Sequence, residues 1–95
     1  MRLEGKVALI SGGARGQGAA EAILFAKEGA AVVIGDLLEA EGRQVESQIN
    51  ESGGRALFVK LNVTSSDDWK NAIAKAIETF GKLNILINNA GIYSN

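Results

Sequence analysis

Four short apolar runs, separated by segments of helical periodicity, restrict most strongly what this chain can fold into. Val7-Ala-Leu-Ile-Ser11 is short, continuous and closed by glycine, as a buried strand should be. From Gly16 to Lys27 the residues Ala19, Ala22, Ile23 and Ala26 recur at helical spacing, and Gly29 sits where a C-terminal cap belongs. Ala31-Val-Val-Ile34 is a second buried strand, ending at Gly35-Asp36. A polar helix follows from about Glu39 to Glu51, with Val45 and Ile49 on its inner face and Glu39, Glu41 and Glu46 on a solvated one. Ala56-Leu-Phe-Val59 is the third strand. Ser66 then reads as an N-cap, with Asp67 and Asp68 placed favourably in the first turn. Trp69, Ala72, Ile73, Ala76, Ile77 and Phe80 form a core-facing stripe closed by Gly81, and Ile85-Leu-Ile87 is the fourth strand, running into Asn88. Alternation of this kind requires a parallel sheet with helices on its faces, joined by right-handed crossovers.

The 95 residues make one domain, whose small core can support only marginal stability. With 46% hydrophobic and 22% charged residues and a net charge of −1, the composition is that of an ordinary globular protein and lacks the basic footprint of a nucleic-acid binder. Cysteine and histidine are both absent, which removes disulfides, thiolate and imidazole metal ligands, and the usual general base. No metal site is expected. No apolar run approaches the ~20 residues that span a bilayer, and the start lacks the apolar core of a signal peptide, so no membrane partner and a cytoplasmic location are expected.

Ser11-Gly-Gly-Ala-Arg-Gly-Gln-Gly18 joins the first strand to the first helix. Glycines there permit a tight turn and close approach of backbone to a pyrophosphate, and the helix N-terminus beyond offers N–H groups and a positive dipole end. The spacing is G-x-x-x-G-x-G; the dinucleotide pattern G-x-G-x-x-G fails, because counting from Gly16 puts Glu21 at its third glycine. Asp36 lies 18 positions after Gly18, where an acidic residue reaches the adenosine ribose hydroxyls of NAD. A 2′-phosphate in its place would meet like charge, at ~1–4 kcal/mol for unit charges near ~4 Å. Asp36 could instead only cap the following helix. Asn62 and the pair Asn88-Asn89 could likewise be plain turn formers at strand ends.

Three motifs, each just after an expected strand, carry a family resemblance that covers the whole chain. Ser11-Gly12-x-x-x-Gly16-x-Gly18 resembles the Thr/Ser-Gly-x-x-x-Gly-x-Gly loop of the short-chain dehydrogenases/reductases. Leu61-Asn62-Val63-Thr64 is similar to the family's adenine-holding segment, and Asn88-Asn89-Ala90-Gly91 to its Asn-Asn-Ala-Gly motif. The resemblance implies a Rossmann-type α/β fold with about four strands in the order 3-2-1-4 and helices on both faces. It implies dinucleotide binding by Gly12, Arg15, Gly16, Gln17, Gly18 and Asp36. Asn62 and Val63 would border the adenine, while Asn89, Ala90 and Gly91 would approach the nicotinamide-side ribose; Asn88 would tie the sheet together. Arg15 stands where a basic residue often accompanies NADP preference, but Leu37 follows Asp36 where a second basic residue would be needed, so NAD is expected over NADP.

The same resemblance implies an oxidoreductase that interconverts a small-molecule alcohol and a ketone, and a homo-oligomer when complete. Its chemistry needs a tyrosine, a lysine four residues later and a serine, the lysine charge lowering the pKa of the tyrosine. All three fall beyond the Asn-Asn-Ala-Gly motif in the family order. Tyr93 has no Tyr-x-x-x-Lys pattern available and Ser94 no matched role, so no catalytic residue is expected within residues 1–95, and these residues alone are expected to be inactive. A finished, non-catalytic dinucleotide-binding sensor or regulatory module is the competing reading. The final strand should leave a sheet edge and an apolar face that invite self-association.

Overall fold

The computed structural model describes residues 2–89. Strands β1 (Val7–Ser11), β2 (Ala31–Asp36), β3 (Arg55–Lys60) and β4 (Ile85–Asn88) alternate with helices α1 (Gly16–Lys27), α2 (Glu39–Glu51) and α3 (Ser66–Phe80). The strands form one sheet in the order β3-β2-β1-β4, every pair parallel. This is the expected doubly wound, Rossmann-type arrangement, with the change of direction between β1 and β4.

Alternation along the strands divides the core in two. Ala8, Ile10, Val32, Ile34 and Phe58 face α1 and α2, where they meet Ala22, Val45 and Ile49. Leu9, Val33 and Val59 face the opposite way and pack with Leu61 against Ala72 and Ala76 of α3. Both central strands are therefore apolar on both faces, as parallel strands covered on two sides must be. Full burial of Leu9, Ile10 and Ile34 stabilises the fold by about 1.5–3 kcal/mol per side chain.

The two sheet edges differ. Along the outer edge of β3, the Asn50 side chain accepts from Ala56 N–H at 2.8 Å and donates to the Ala56 carbonyl at 3.1 Å. Glu46 accepts from Phe58 N–H at 2.7 Å. Glu46 was expected on a solvated face; it is instead drawn in by an edge-strand donor that needs an acceptor. At the other edge, β4 pairs among the described residues with β1 alone, and Leu86 on the α3 side of the sheet is 54% exposed.

Two more expectations shift. The N-cap of α3 is Ser65, not Ser66: the Ser65 hydroxyl accepts from Asp68 N–H at 3.1 Å. Ile77 is 48% exposed, because the stripe that meets the sheet runs through Trp69, Ala72, Ile73, Ala76 and Phe80, and Ile77 lies about 100° beyond Ala76 around the helix. Gly81 ends α3 in the left-handed conformation, as expected. No helix among the described residues is long and apolar enough to cross a membrane.

Candidate functional site

The parallel sheet brings the C-terminal ends of β1, β2 and β4 to one rim, where ligands of such sheets bind. A cleft of about 320 Å³ opens there, lined by Gly12, Arg15, Gly16, Gln17, Gly18, Asp36, Leu38 and Asn89. Seven of the sequence-derived candidates are thus brought together from three separate segments.

The loop between β1 and α1 is built on backbone geometry. Gly12 and Gly16 have φ values of 68° and 60°, a region closed to most side chains. Gly12 N–H donates to the Gly35 carbonyl at 2.8 Å, which ties the loop to the end of β2. Gly18 answers to a different constraint. A Cβ there would lie 1.9 Å from the Gly12 carbonyl oxygen, so α1 rests directly on the loop only because position 18 carries no side chain. Arg15, the N-cap of α1, makes no side-chain capping bond, and the first turn holds no acidic residue. The opening N–H groups of a helix have no acceptor within it, so this end of α1 offers donors and positive potential to an outside anion.

Asp36 ends β2 half-buried in the cleft. Its Oδ2 accepts from Ala14 N–H and its Oδ1 from Leu38 N–H, both at 3.1 Å. The carboxylate therefore joins the glycine loop to the N-cap of α2, and each oxygen keeps a further lone pair for a hydroxyl donor. The capping reading and the ligand reading are compatible here. Arg15 lines the same cleft but makes no ion pair with Asp36, the ion pairs among the described residues being Arg43 with Glu39 and Glu46, and Lys75 with Glu78.

At the end of β4, the buried Ser11 hydroxyl donates to Asn88 Oδ1 at 2.7 Å and accepts from Asn89 N–H at 3.1 Å. Asn88 thus ties β4 to β1, as expected, and Asn89 is delivered to the cleft. Asn62 and Val63 do not line this cleft. Asn62 Oδ1 accepts from Thr64 N–H at 3.0 Å and Thr64 Oγ1 at 2.7 Å, a turn after β3, while the Val63 carbonyl accepts from Trp69 Nε1 at 2.9 Å. Ala90 and Gly91 lie outside the described residues. The sequence reading missed Glu21, which accepts from Asn89 Nδ2 at 2.7 Å, and Leu38, which lines the cleft. Ser11 had a usable signal, as the one polar residue of β1.

The family model for short chain dehydrogenases matches residues 6–95. The chain belongs to the short-chain dehydrogenase family. It is 58% identical over 91 residues to the 2,5-dichloro-2,5-cyclohexadiene-1,4-diol dehydrogenase LinX of Sphingobium indicum, covering 96% of this chain and 36% of that protein. It is 50% identical over 99 residues to the trans-4-hydroxycyclohexanecarboxylate dehydrogenase of Sinomonas cyclohexanicum, covering 98% of this chain and 38% of that one. The crystal structure of a hydroxysteroid dehydrogenase from Escherichia coli superimposes with a TM-score of 0.91 at 39% identity, over 95% of this chain and 38% of its own. The chain therefore spans little more than a third of the length of the short-chain dehydrogenases it matches.

Proposed function

We propose that residues 1–95 are the NAD-binding part of an oxidoreductase that interconverts a ring alcohol and its ketone by hydride transfer. The observation that carries the reading is one cleft holding both the open N-terminus of α1 and the Asp36 carboxylate. The donor set fits NAD: backbone N–H groups with a positive dipole suit a pyrophosphate, and a carboxylate with free lone pairs suits two ribose hydroxyls. Gly12, Gly16, Gln17 and Gly18 would hold the pyrophosphate and Asp36 the adenosine ribose. Asn89, with Ala90 and Gly91, would hold the nicotinamide-side ribose, and Asn62 and Val63 would border the adenine. NAD, when bound, supplies the hydride acceptor.

Asp36 favours NAD over NADP, because a 2′-phosphate beside it adds like charge; among the described residues, Arg15 offers the one opposing charge on the cleft wall. The relatives named above act, by their names, on a cyclohexadiene diol, a hydroxycyclohexanecarboxylate and a hydroxysteroid, which supports a ring-borne secondary alcohol as substrate. The residues of this chain bind and orient; none is assigned a proton-transfer role, and the 95 residues alone are inactive in this reading.

The test is turnover of the whole protein with cyclic secondary alcohols, followed by NADH absorbance, with NAD and NADP compared at equal concentration. Reduction of NAD in preference to NADP is expected. Binding of NADH without turnover of any alcohol, or equal use of both cofactors, contradicts the proposal.

A further inference from the structure

Asn89 is anchored at both ends, and one of its anchors serves no purpose in the sheet. Its backbone N–H is held by the Ser11 hydroxyl at 3.1 Å, part of the strand-end pairing. Its side-chain Nδ2 donates at 2.7 Å to Oε1 of Glu21, a residue of the second turn of α1 that lies 68 positions earlier in the chain. The other carboxylate oxygen, Oε2, accepts from Gln17 Nε2 at 3.3 Å. Gln17 and Asn89 both line the cleft, and the half-buried Glu21 stands behind them, outside its lining.

We infer that Glu21 is a positioning residue, a two-acceptor clamp that fixes the Asn89 amide with its carbonyl oxygen free to accept from a dinucleotide hydroxyl. A carboxylate only accepts, so it admits one orientation of the Asn89 amide: Nδ2 toward Glu21, Oδ1 away from it. Without that partner the amide can turn over, presenting Nδ2 where the hydroxyl needs an acceptor. The bond is short and charge-assisted, the stronger class of hydrogen bond. It also links α1 to the end of β4, so the two walls of the cleft are set relative to each other by one side chain.

This inference rests on the reading of the cleft as a dinucleotide site with Asn89 on the nicotinamide side, and the test separates the two. NADH and ADP are titrated by calorimetry into the whole protein and into Glu21→Leu, Glu21→Ala and Glu21→Gln. Leucine keeps the volume but accepts nothing, alanine is a second non-accepting variant suited to a helix, and glutamine retains one acceptor for Asn89. The Kd for NADH should rise about tenfold with leucine or alanine and stay within about threefold with glutamine. The Kd for ADP, which lacks the nicotinamide-side ribose but still meets Gln17 through its diphosphate, should rise by no more than about threefold with leucine or alanine, clearly less than that for NADH. NADH affinity unchanged in both non-accepting variants overturns the inference, and so does equal weakening of NADH and ADP, which marks a merely structural role. A wild-type protein that binds neither ligand overturns the dinucleotide reading itself.

Discussion

The two ends of α1 each carry a cleft of similar size, and they differ in everything that would matter to a charged ligand. The cleft at its N-terminus measures about 320 Å³. The one at its C-terminus, between the ends of α1 and α2, measures about 360 Å³ and is lined by Ile23, Ala26, Lys27, Gln48, Ile49, Ser52, Gly53 and Gly54. At the far end several helix carbonyls already have partners: in α1, Glu28 N–H donates to Leu24 at 3.0 Å and Gly29 N–H to Ala26 at 3.1 Å, and in α2, Gly54 N–H donates to Ile49 at 3.0 Å. The dipole there is negative, and Lys27 is the basic residue of the last turn of α1. At the near end the N–H groups have no capping side chain, and Asp36, Asn89 and the glycine loop converge from separate strands. The larger opening is therefore the poorer anion site. Volume does not choose between the two ends; unpaired donors and convergent polar groups do.

The largest effect expected from breaking this asymmetry comes from Gly18→Val. The Gly12 carbonyl leaves no room for a Cβ, so loop and helix must part, and NADH affinity should fall by more than about a hundredfold. Far-UV circular dichroism should stay near that of the unmutated protein, because the clash is with the loop and not with the sheet core. Retained NADH binding would separate the near cleft from the ligand.

A smaller effect is expected of Asp36→Ala. Removing the carboxylate should weaken NADH by about tenfold, the value of one charge-assisted hydrogen-bonding group, while relieving the repulsion of a 2′-phosphate. The ratio of NADPH to NADH dissociation constants should therefore narrow. An unchanged ratio would mean that Asp36 only holds Ala14 and Leu38 and does not read the ribose.

Much of this asymmetry was legible in the sequence, because its near-end components are local. Gly12, Gly16 and Gly18 announce a loop that only glycine can form, and Asp36 follows an apolar run at the distance a ribose partner requires. The strands were legible as apolar runs because the sheet is covered on both faces. Glu21 was not legible: its partner Asn89 is brought to it by the β1–β4 pairing, and Glu21 on its own reads as an ordinary polar helix position. Glu46 was hidden for the same reason, its partner being the outward N–H of an edge strand that helical periodicity does not describe. Ser65 and Ser66 are adjacent and equally good N-caps by type; Asp68, whose N–H bonds Ser65, decides between them. Ile77 belongs to the apolar stripe by spacing, but the small residues Ala72 and Ala76 bring α3 close along their own line and turn Ile77 outward.

Whether the dinucleotide occupies the N-terminal end of α1 or its C-terminal end is read out by backbone amide NMR of the whole protein during an NADH titration. Chemical-shift changes are expected at Gly16, Gln17, Gly18, Leu38 and Asn89, with Ile23, Gly53 and Gly54 unmoved. Changes confined to Ile23, Gly53 and Gly54, with the glycine loop silent, would place the dinucleotide at the wrong end of α1.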